Sequence, residues 1–142
     1  MNEPILRIPP TVREDVLAYR GNVERFLRGQ SNPVAFRAYR VPMGIYEQRT
    51  EGTYMVRIRI PAGLVLPGQL QRIAELSRRY GSGALHITTR QDIQIHDVPI
   101  EHTPDVLEKL LEAGLSARGG GGNTVRNVSA CPRAGLSAEE PF

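Results

Sequence analysis

Arg57, Arg59, His86, Thr88, Gln94 and His96 are the residues whose types and spacing point to chemistry, with Arg90 standing between the second and third pairs. Within each pair the two residues are separated by one position. In an extended strand that spacing puts both side chains on the same face. The set offers guanidinium, imidazole, amide and hydroxyl donors and holds no carboxylate. Alternating polar residues usually mark a solvated strand face, but such a face mixes charges of both signs. A face furnished only with donors and cations suits an anion, such as a carboxylate, a phosphate or a small oxyanion.

Other chemistries find less support. The run Gly119 to Gly122 lacks the lysine and hydroxyl residue of a nucleotide phosphate loop, and no helical pattern follows it. It reads instead as a flexible loop or as a close backbone approach to a flat ligand. His86, His96 and His102 do not share a metal-ligand spacing, and no cysteine is near them. Cys131, the single cysteine, precedes Pro132 and is expected to be a packed thiol. No Ser-His-Asp constellation can be assembled.

The elements that must hold these residues follow from periodicity. Tyr54, Val56, Ile58 and Ile60 alternate with Met55, Arg57 and Arg59, which predicts a half-buried strand closed by Pro61 and Gly63. Leu70, Ile73, Ala74, Ser77 and Tyr80 predict the buried stripe of a helix over 69–80, with Gly81 as a left-handed cap. Leu85 and Ile87, then Ile93 and Ile95, predict two short antiparallel strands joined by Thr89-Arg90-Gln91-Asp92. Thr103 and Pro104 open a second helix, with Thr103 as its N-cap, and Gly114 follows its end. A further extended segment is expected after Leu115. Upstream, Thr11 and Glu14 form a capping-box pattern before Val12, Val16, Tyr19, Val23 and Phe26, which predict an N-terminal helix. Residues 34–48 are mixed, with a short strand expected near 44–48.

The order strand, helix, strand, strand, helix, strand is the ferredoxin-like βαββαβ order of an α+β fold. Its antiparallel sheet carries both helices on one face. The expected division is a helix and extended arm over 1–43, the ferredoxin-like unit over 44–130, and the start of a following domain over 131–142. Pro141 and Phe142 end the chain without a helix stop, so a continuation is expected.

With 142 residues the chain suits one ordinary domain. Its formal net charge is +3, and arginine dominates the basic side, Lys109 being the single lysine. Biased coding produces the same composition, so the position of the arginines carries the argument. No apolar run approaches the roughly 20 residues of a membrane span. Met1 to Pro10 lacks the charged and apolar stretches of a leader. A cytoplasmic protein without a membrane partner is expected.

The runs YMVRIRIPAG, LQRIAELSRRYGSGALHITTRQDIQIHDV, LLEAGL and NTVRNVSACPRAG together resemble the siroheme-containing sulfite and nitrite reductases, over roughly Gly44 to Gly135. The resemblance implies the N-terminal ferredoxin-like half of an enzyme that reduces sulfite or nitrite by several electrons. It implies siroheme and a 4Fe–4S cluster as cofactors, with an electron donor and the C-terminal half of the same enzyme as partners. By resemblance, Arg57 and Arg126 face the oxyanion. Siroheme is implied to contact Arg57, His86, Thr89, Arg90, Gln94, His96, Arg126 and Asn127. One cysteine cannot supply the four thiolates of a cluster, so this segment alone is expected to be inactive and to purify colourless. Pro-Ala-Gly at 61–63 stands where many members carry Pro-Gly-Gly.

Two other classes remain open at this point. A stand-alone scaffold or regulatory domain would share the fold without the cofactor. An RNA-binding module would share the element order, but it needs aromatic residues on the central strands, which here carry arginine, histidine, glutamine and threonine.

Overall fold

Strand β2 (Thr53–Ile58) is the centre of the computed structural model, which describes residues 7–136 and 138. Before it come α1 (Pro10–Leu27), α2 (Pro33–Arg40) and β1 (Ile45–Glu47); after it come α3 (Pro67–Tyr80), β3 (Leu85–Ile87), β4 (Ile93–Pro99) and α4 (Thr103–Glu112). The expectations for Met1 to Leu6, Pro141 and Phe142 lie outside the described residues.

The four strands form one antiparallel sheet in the order β1-β2-β4-β3. Alternation along β2 holds as expected: Tyr54, Val56, Ile58 and the following Ile60 are buried, while Met55, Arg57 and Arg59 are half-buried on the other face. Helix α3 packs on β4 and on α4, and α1 packs on α4. One apolar cluster joins these layers, running from Val16 and Val23 through Val106, Leu107 and Leu110 to Val56, Ile58 and Ile95. Burying that surface is the main force holding the sheet flat side against the helices. The fold is the expected ferredoxin-like arrangement preceded by an N-terminal helix.

The last strand departs from expectation. The segment after Leu115 pairs with the sheet at a single bridge, Ser116 with Arg59. Strand β1 occupies the rest of that edge of β2, with Ile45 opposite Val56 and Glu47 opposite Tyr54. Residues 119–122 then turn away over the β1 end of the sheet. Their glycines are needed by the sheet itself. A Cβ on Gly120 would lie 2.7 Å from the Arg57 carbonyl oxygen, and one on Gly121 would overlap the Tyr46 hydroxyl. The close backbone approach read from the sequence is therefore made to the chain's own strands.

Smaller differences have local causes. The arm expected over 34–43 is helical from Pro33 to Arg40, capped by the Asn32 side chain accepting from Val34 N–H at 2.8 Å. Helix α1 begins at Pro10, whose fixed φ suits a first turn, so Thr11 is inside it and caps nothing. In α3 the buried stripe takes in Gln69 and leaves Leu70 42% exposed. The Gln69 amide donates to the Ala113 carbonyl while its oxygen accepts from Leu66 N–H, which ties α3 to the end of α4. Gly81 is extended at φ −131° and makes no left-handed cap. It is needed because a methyl group there would strike the His96 carbonyl oxygen. Ile87, expected on the apolar face with Leu85, is 71% exposed at the end of the three-residue edge strand β3. Thr103 is the first residue of α4 and not its cap. Its hydroxyl donates to the Ile100 carbonyl at 2.7 Å and accepts from Tyr19 at 2.9 Å, joining α1 to α4.

Candidate functional site

Three strands place one row of polar side chains across the sheet face that the helices leave open. His86 pairs with Gln94, and Gln94 pairs with Arg57. The Gln94 side chain, buried between its neighbours, is assigned with its oxygen toward Arg57, because the opposite orientation sets its NH2 against donors. So oriented, it accepts from Arg57 Nε at 3.1 Å and Nη2 at 3.0 Å. The guanidinium also lies over the Tyr46 ring, 5.1 Å from its centroid, and Nη1 is 3.5 Å from the Gly120 carbonyl oxygen. All these neighbours are neutral, so the charge of Arg57 is held in place without being cancelled.

The turn between β3 and β4 is built from its own polar groups. Thr88 N–H donates to the Asp92 carbonyl at 2.8 Å, and Asp92 N–H donates to the Thr88 hydroxyl at 3.0 Å. The buried Asp92 carboxylate accepts from Ile60 N–H at 3.1 Å, which ties the turn to the end of β2. This leaves Thr89 and Arg90 exposed at the tip.

An extended strap, residues 123–130, crosses the same end of the sheet with almost no backbone pairing. Side chains hold it. Arg59 Nη1 donates to the carbonyls of Gly119 at 3.0 Å and Val125 at 2.9 Å. Arg90 Nη2 donates to the Asn127 carbonyl. The buried Asn127 amide donates to the carbonyls of Ile60 at 2.8 Å and Arg90 at 2.9 Å. Gln91 exchanges two bonds with Ala130, and Ala62 N–H donates to the Val128 carbonyl.

Between strap, turn and sheet lies a pocket of about 230 Å³ lined by Tyr46, Arg57, Arg59, Thr88, Thr89, Arg90, Asp92, the four glycines 119–122, Thr124, Arg126 and Asn127. Four guanidinium groups thus face one carboxylate, and that carboxylate already holds a backbone N–H. Among the described residues none of the four arginines pairs with an acid, and Arg126 has no hydrogen bond at all. In a partly enclosed space such charges reinforce one another and favour an anion.

Of the residues singled out in the sequence, Arg57, Thr89, Arg90, Arg126 and Asn127 line this pocket, and Gln94 grips Arg57 from behind it. Asn127 faces inward, with its amide fully engaged by backbone. His86 and His96 stand farther along the open face, edge to face with ring centroids 6.2 Å apart. Gln48 accepts from Asp97 N–H, so its NH2 donates to His96 Nδ1 at 3.1 Å, and the ring proton sits on Nε2. Arg59, read from alternation as part of the anion face, is engaged with carbonyls instead. Tyr46, Thr124 and Asp92 went unread as site residues. Tyr46 alternates with Ile45 on a strand of only three residues, too short for a periodic signal. Cys131, read as packed, is exposed. No cluster of three metal-ligating side chains occurs among the described residues.

Residues 46–113 match the family model described as the nitrite/sulfite reductase ferredoxin-like half domain. The chain is 38% identical over 109 residues to the assimilatory ferredoxin-dependent nitrite reductase of Haloferax mediterranei, an alignment covering 68% of this chain and 19% of that protein. It is 36% identical over 136 residues to the ferredoxin–nitrite reductase of Synechococcus elongatus, covering 92% of this chain and 27% of that one. The chain therefore spans about a quarter or less of the length of these relatives. Among solved structures, the Mycobacterium tuberculosis NirA protein superposes with a TM-score of 0.69 at 20% identity, over 91% of this chain and 29% of that one, and so shares the fold. The sheet, its two covering helices and the sequence between Tyr46 and Ala113 belong to the nitrite/sulfite reductase ferredoxin-like half-domain family.

Proposed function

We propose that this chain carries the N-terminal ferredoxin-like half domain of a siroheme- and 4Fe–4S-dependent reductase whose substrate is nitrite, with sulfite as the second oxyanion its chemistry admits. The observation that carries the reading is the cluster of four arginines around the pocket, none of them paired with an acid among the described residues and facing the single carboxylate of Asp92. The curated relatives named above, described as nitrite reductases, favour nitrite of the two. The proposed units are the helical arm over 1–43, the ferredoxin-like unit over 44–130 and the start of a following domain over 131–142. The C-terminal half and an electron donor are the proposed partners, and the cytoplasm is the proposed compartment.

The donor set fits the proposed cofactor. Siroheme is an iron tetrapyrrole fringed with carboxylates. A pocket of about 230 Å³ is too small for a whole macrocycle but takes peripheral carboxylates or a small oxyanion. Thr89 and Arg90 at the turn tip would hold carboxylates through hydroxyl and guanidinium donors, and His86 and His96 would serve others farther along the face. Asn127 fixes the strap behind them. When bound, siroheme would supply the redox chemistry for reducing the oxyanion. Arg57 and Arg126 would hold the anion by charge and by donated hydrogen bonds. Their role is to stabilise negative charge through the guanidinium group and its N–H donors. The four cluster thiolates would come from outside this segment, which has one cysteine.

The test is to express the complete reading frame that encodes this chain together with siroheme synthesis, and to follow nitrite consumption with a chemical electron donor. Arg57→Ala and Arg126→Ala are each expected to lower kcat/KM on the order of 100-fold. Unchanged turnover in both variants would remove them from the site.

A further inference from the structure

Arg59 has the charge and the location of an anion ligand, yet its contacts describe another task. Its Nη1 bridges the carbonyls of Gly119 and Val125 at 3.0 and 2.9 Å, closing the loop 119–125 on itself. The residue after that bridge is Arg126, which has no partner of its own among the described residues. On its other side, Asn127 is fastened by three bonds, to the Ile60 and Arg90 carbonyls and from Arg90 Nη2. Arg126 is thus a free guanidinium between two anchored backbone positions. The first anchor also depends on Gly119, at φ +75°, where a Cβ would stand 3.0 Å from Arg59 Nη1. The Gly119 carbonyl is gripped a second time by the Thr124 hydroxyl at 2.9 Å.

We infer that Arg59 is a positioning residue: it acts on the anion through the backbone of Val125, setting where Arg126 stands, and does not itself take the ligand. The inference rests on the reading of the pocket as an anion site. It gives the two arginines that alternate on one strand different tasks: Arg59 is bound to two loop carbonyls, while Arg57 is held by the Gln94 side chain and the Tyr46 ring. Loss of the bridge frees the strap between Gly122 and Asn127, and misplacing a guanidinium by about 1 Å can cost on the order of 100-fold in rate.

Two measurements test this. In the 142-residue chain, trypsin cleavage after Arg126 reports opening of the strap, and cleavage after Arg78 in α3 reports unfolding of the core. Arg59→Ala is expected to speed the first about tenfold and leave the second unchanged. Equal acceleration at both bonds, or none at Arg126, overturns the proposal. In the complete enzyme, a double-mutant cycle of Arg59→Ala with Arg126→Ala reads the coupling. Each single variant is expected to lower kcat/KM for nitrite, and the double variant to fall no lower than Arg126→Ala. Losses that multiply mean that Arg59 acts independently, and overturn the proposal. If Arg126→Ala alone changes nothing, the anion-site reading fails instead. Arg59→Lys keeps a cation able to reach one carbonyl and serves where Arg59→Ala does not fold; its smaller loss is expected to vanish in the Arg126→Ala background in the same way.

Discussion

The side-chain oxygen of Gln94 receives both Nε and Nη2 of Arg57, so a neutral acceptor on β4 aims a cation on β2. A carboxylate in that position would aim it equally well but would cancel its charge. Gln94→Glu changes little in shape, and the guanidinium is expected to keep its orientation. The nitrite KM of the complete enzyme is expected to rise about tenfold, since each 1.4 kcal/mol of lost attraction weakens binding by that factor. An unaltered KM would show that the charge of Arg57 is not what the anion senses.

Asn127 is expected to matter for stability before chemistry. Its buried NH2 serves two carbonyls, Ile60 at the end of β2 and Arg90 in the turn. Asn127→Ala leaves both without that donor, at a cost of roughly 1–3 kcal/mol. Urea unfolding of the 142-residue chain should show a lower midpoint. An unchanged midpoint would mean that water replaces the amide at no cost.

How far the sequence carried this site depends on what held each part. Arg57, Gln94 and His86 were legible because period-two alternation alone places them on one face. Tyr54, Val56 and Ile58 were legible as core for the same reason. The strap was not. It has no periodicity, and its position is set by side-chain bonds from Arg59, Arg90, Gln91 and Asn127 to carbonyls far away in sequence. Arg126 and Asn127 therefore came from family resemblance. Arg59 lines the pocket on the face where alternation placed it, but its carbonyl partners were not legible, because alternation reports a side chain's face and not its partner. The final strand failed for a related reason: β1 fills most of the edge that it would have used.

Ala62 sits at φ +56°, a left-handed conformation that a methyl group opposes, and its N–H is needed by the Val128 carbonyl. Glycine adopts that conformation freely, so the Pro-Ala-Gly stretch carries strain where Pro-Gly-Gly would not. Ala62→Gly is expected to stabilise the chain by about 1 kcal/mol, read as a higher urea midpoint. A lower midpoint would show that the added freedom of the unfolded chain outweighs the relieved strain.

Burial raises the Tyr19 pKa above its ordinary value, with the Thr103 bond opposing, and Tyr54 shifts upward from burial as well. Both side chains must stay neutral in the folded state, while the unfolded chain ionises near pH 10. Stability from these groups is therefore complete below about pH 10 and is lost as pH rises toward the folded values. Tyr19→Phe is expected to lower stability by about 1 kcal/mol at pH 7, through the lost bond to Thr103. It should also flatten the decline above pH 10 without abolishing it, since Tyr54 remains. An equally steep decline in the variant would assign alkaline unfolding elsewhere.

The arginine cluster at the end of this sheet, without an acid partner among the described residues, is proposed to hold the carboxylate rim of an anionic tetrapyrrole. Absorbance of the purified full-length protein, co-expressed with siroheme synthesis, reads this directly as chromophore per chain. Wild type is expected to carry the siroheme spectrum, and the Arg57→Ala/Arg90→Ala double variant to lose most of it while keeping its circular dichroism. Full occupancy in the folded double variant would contradict the claim.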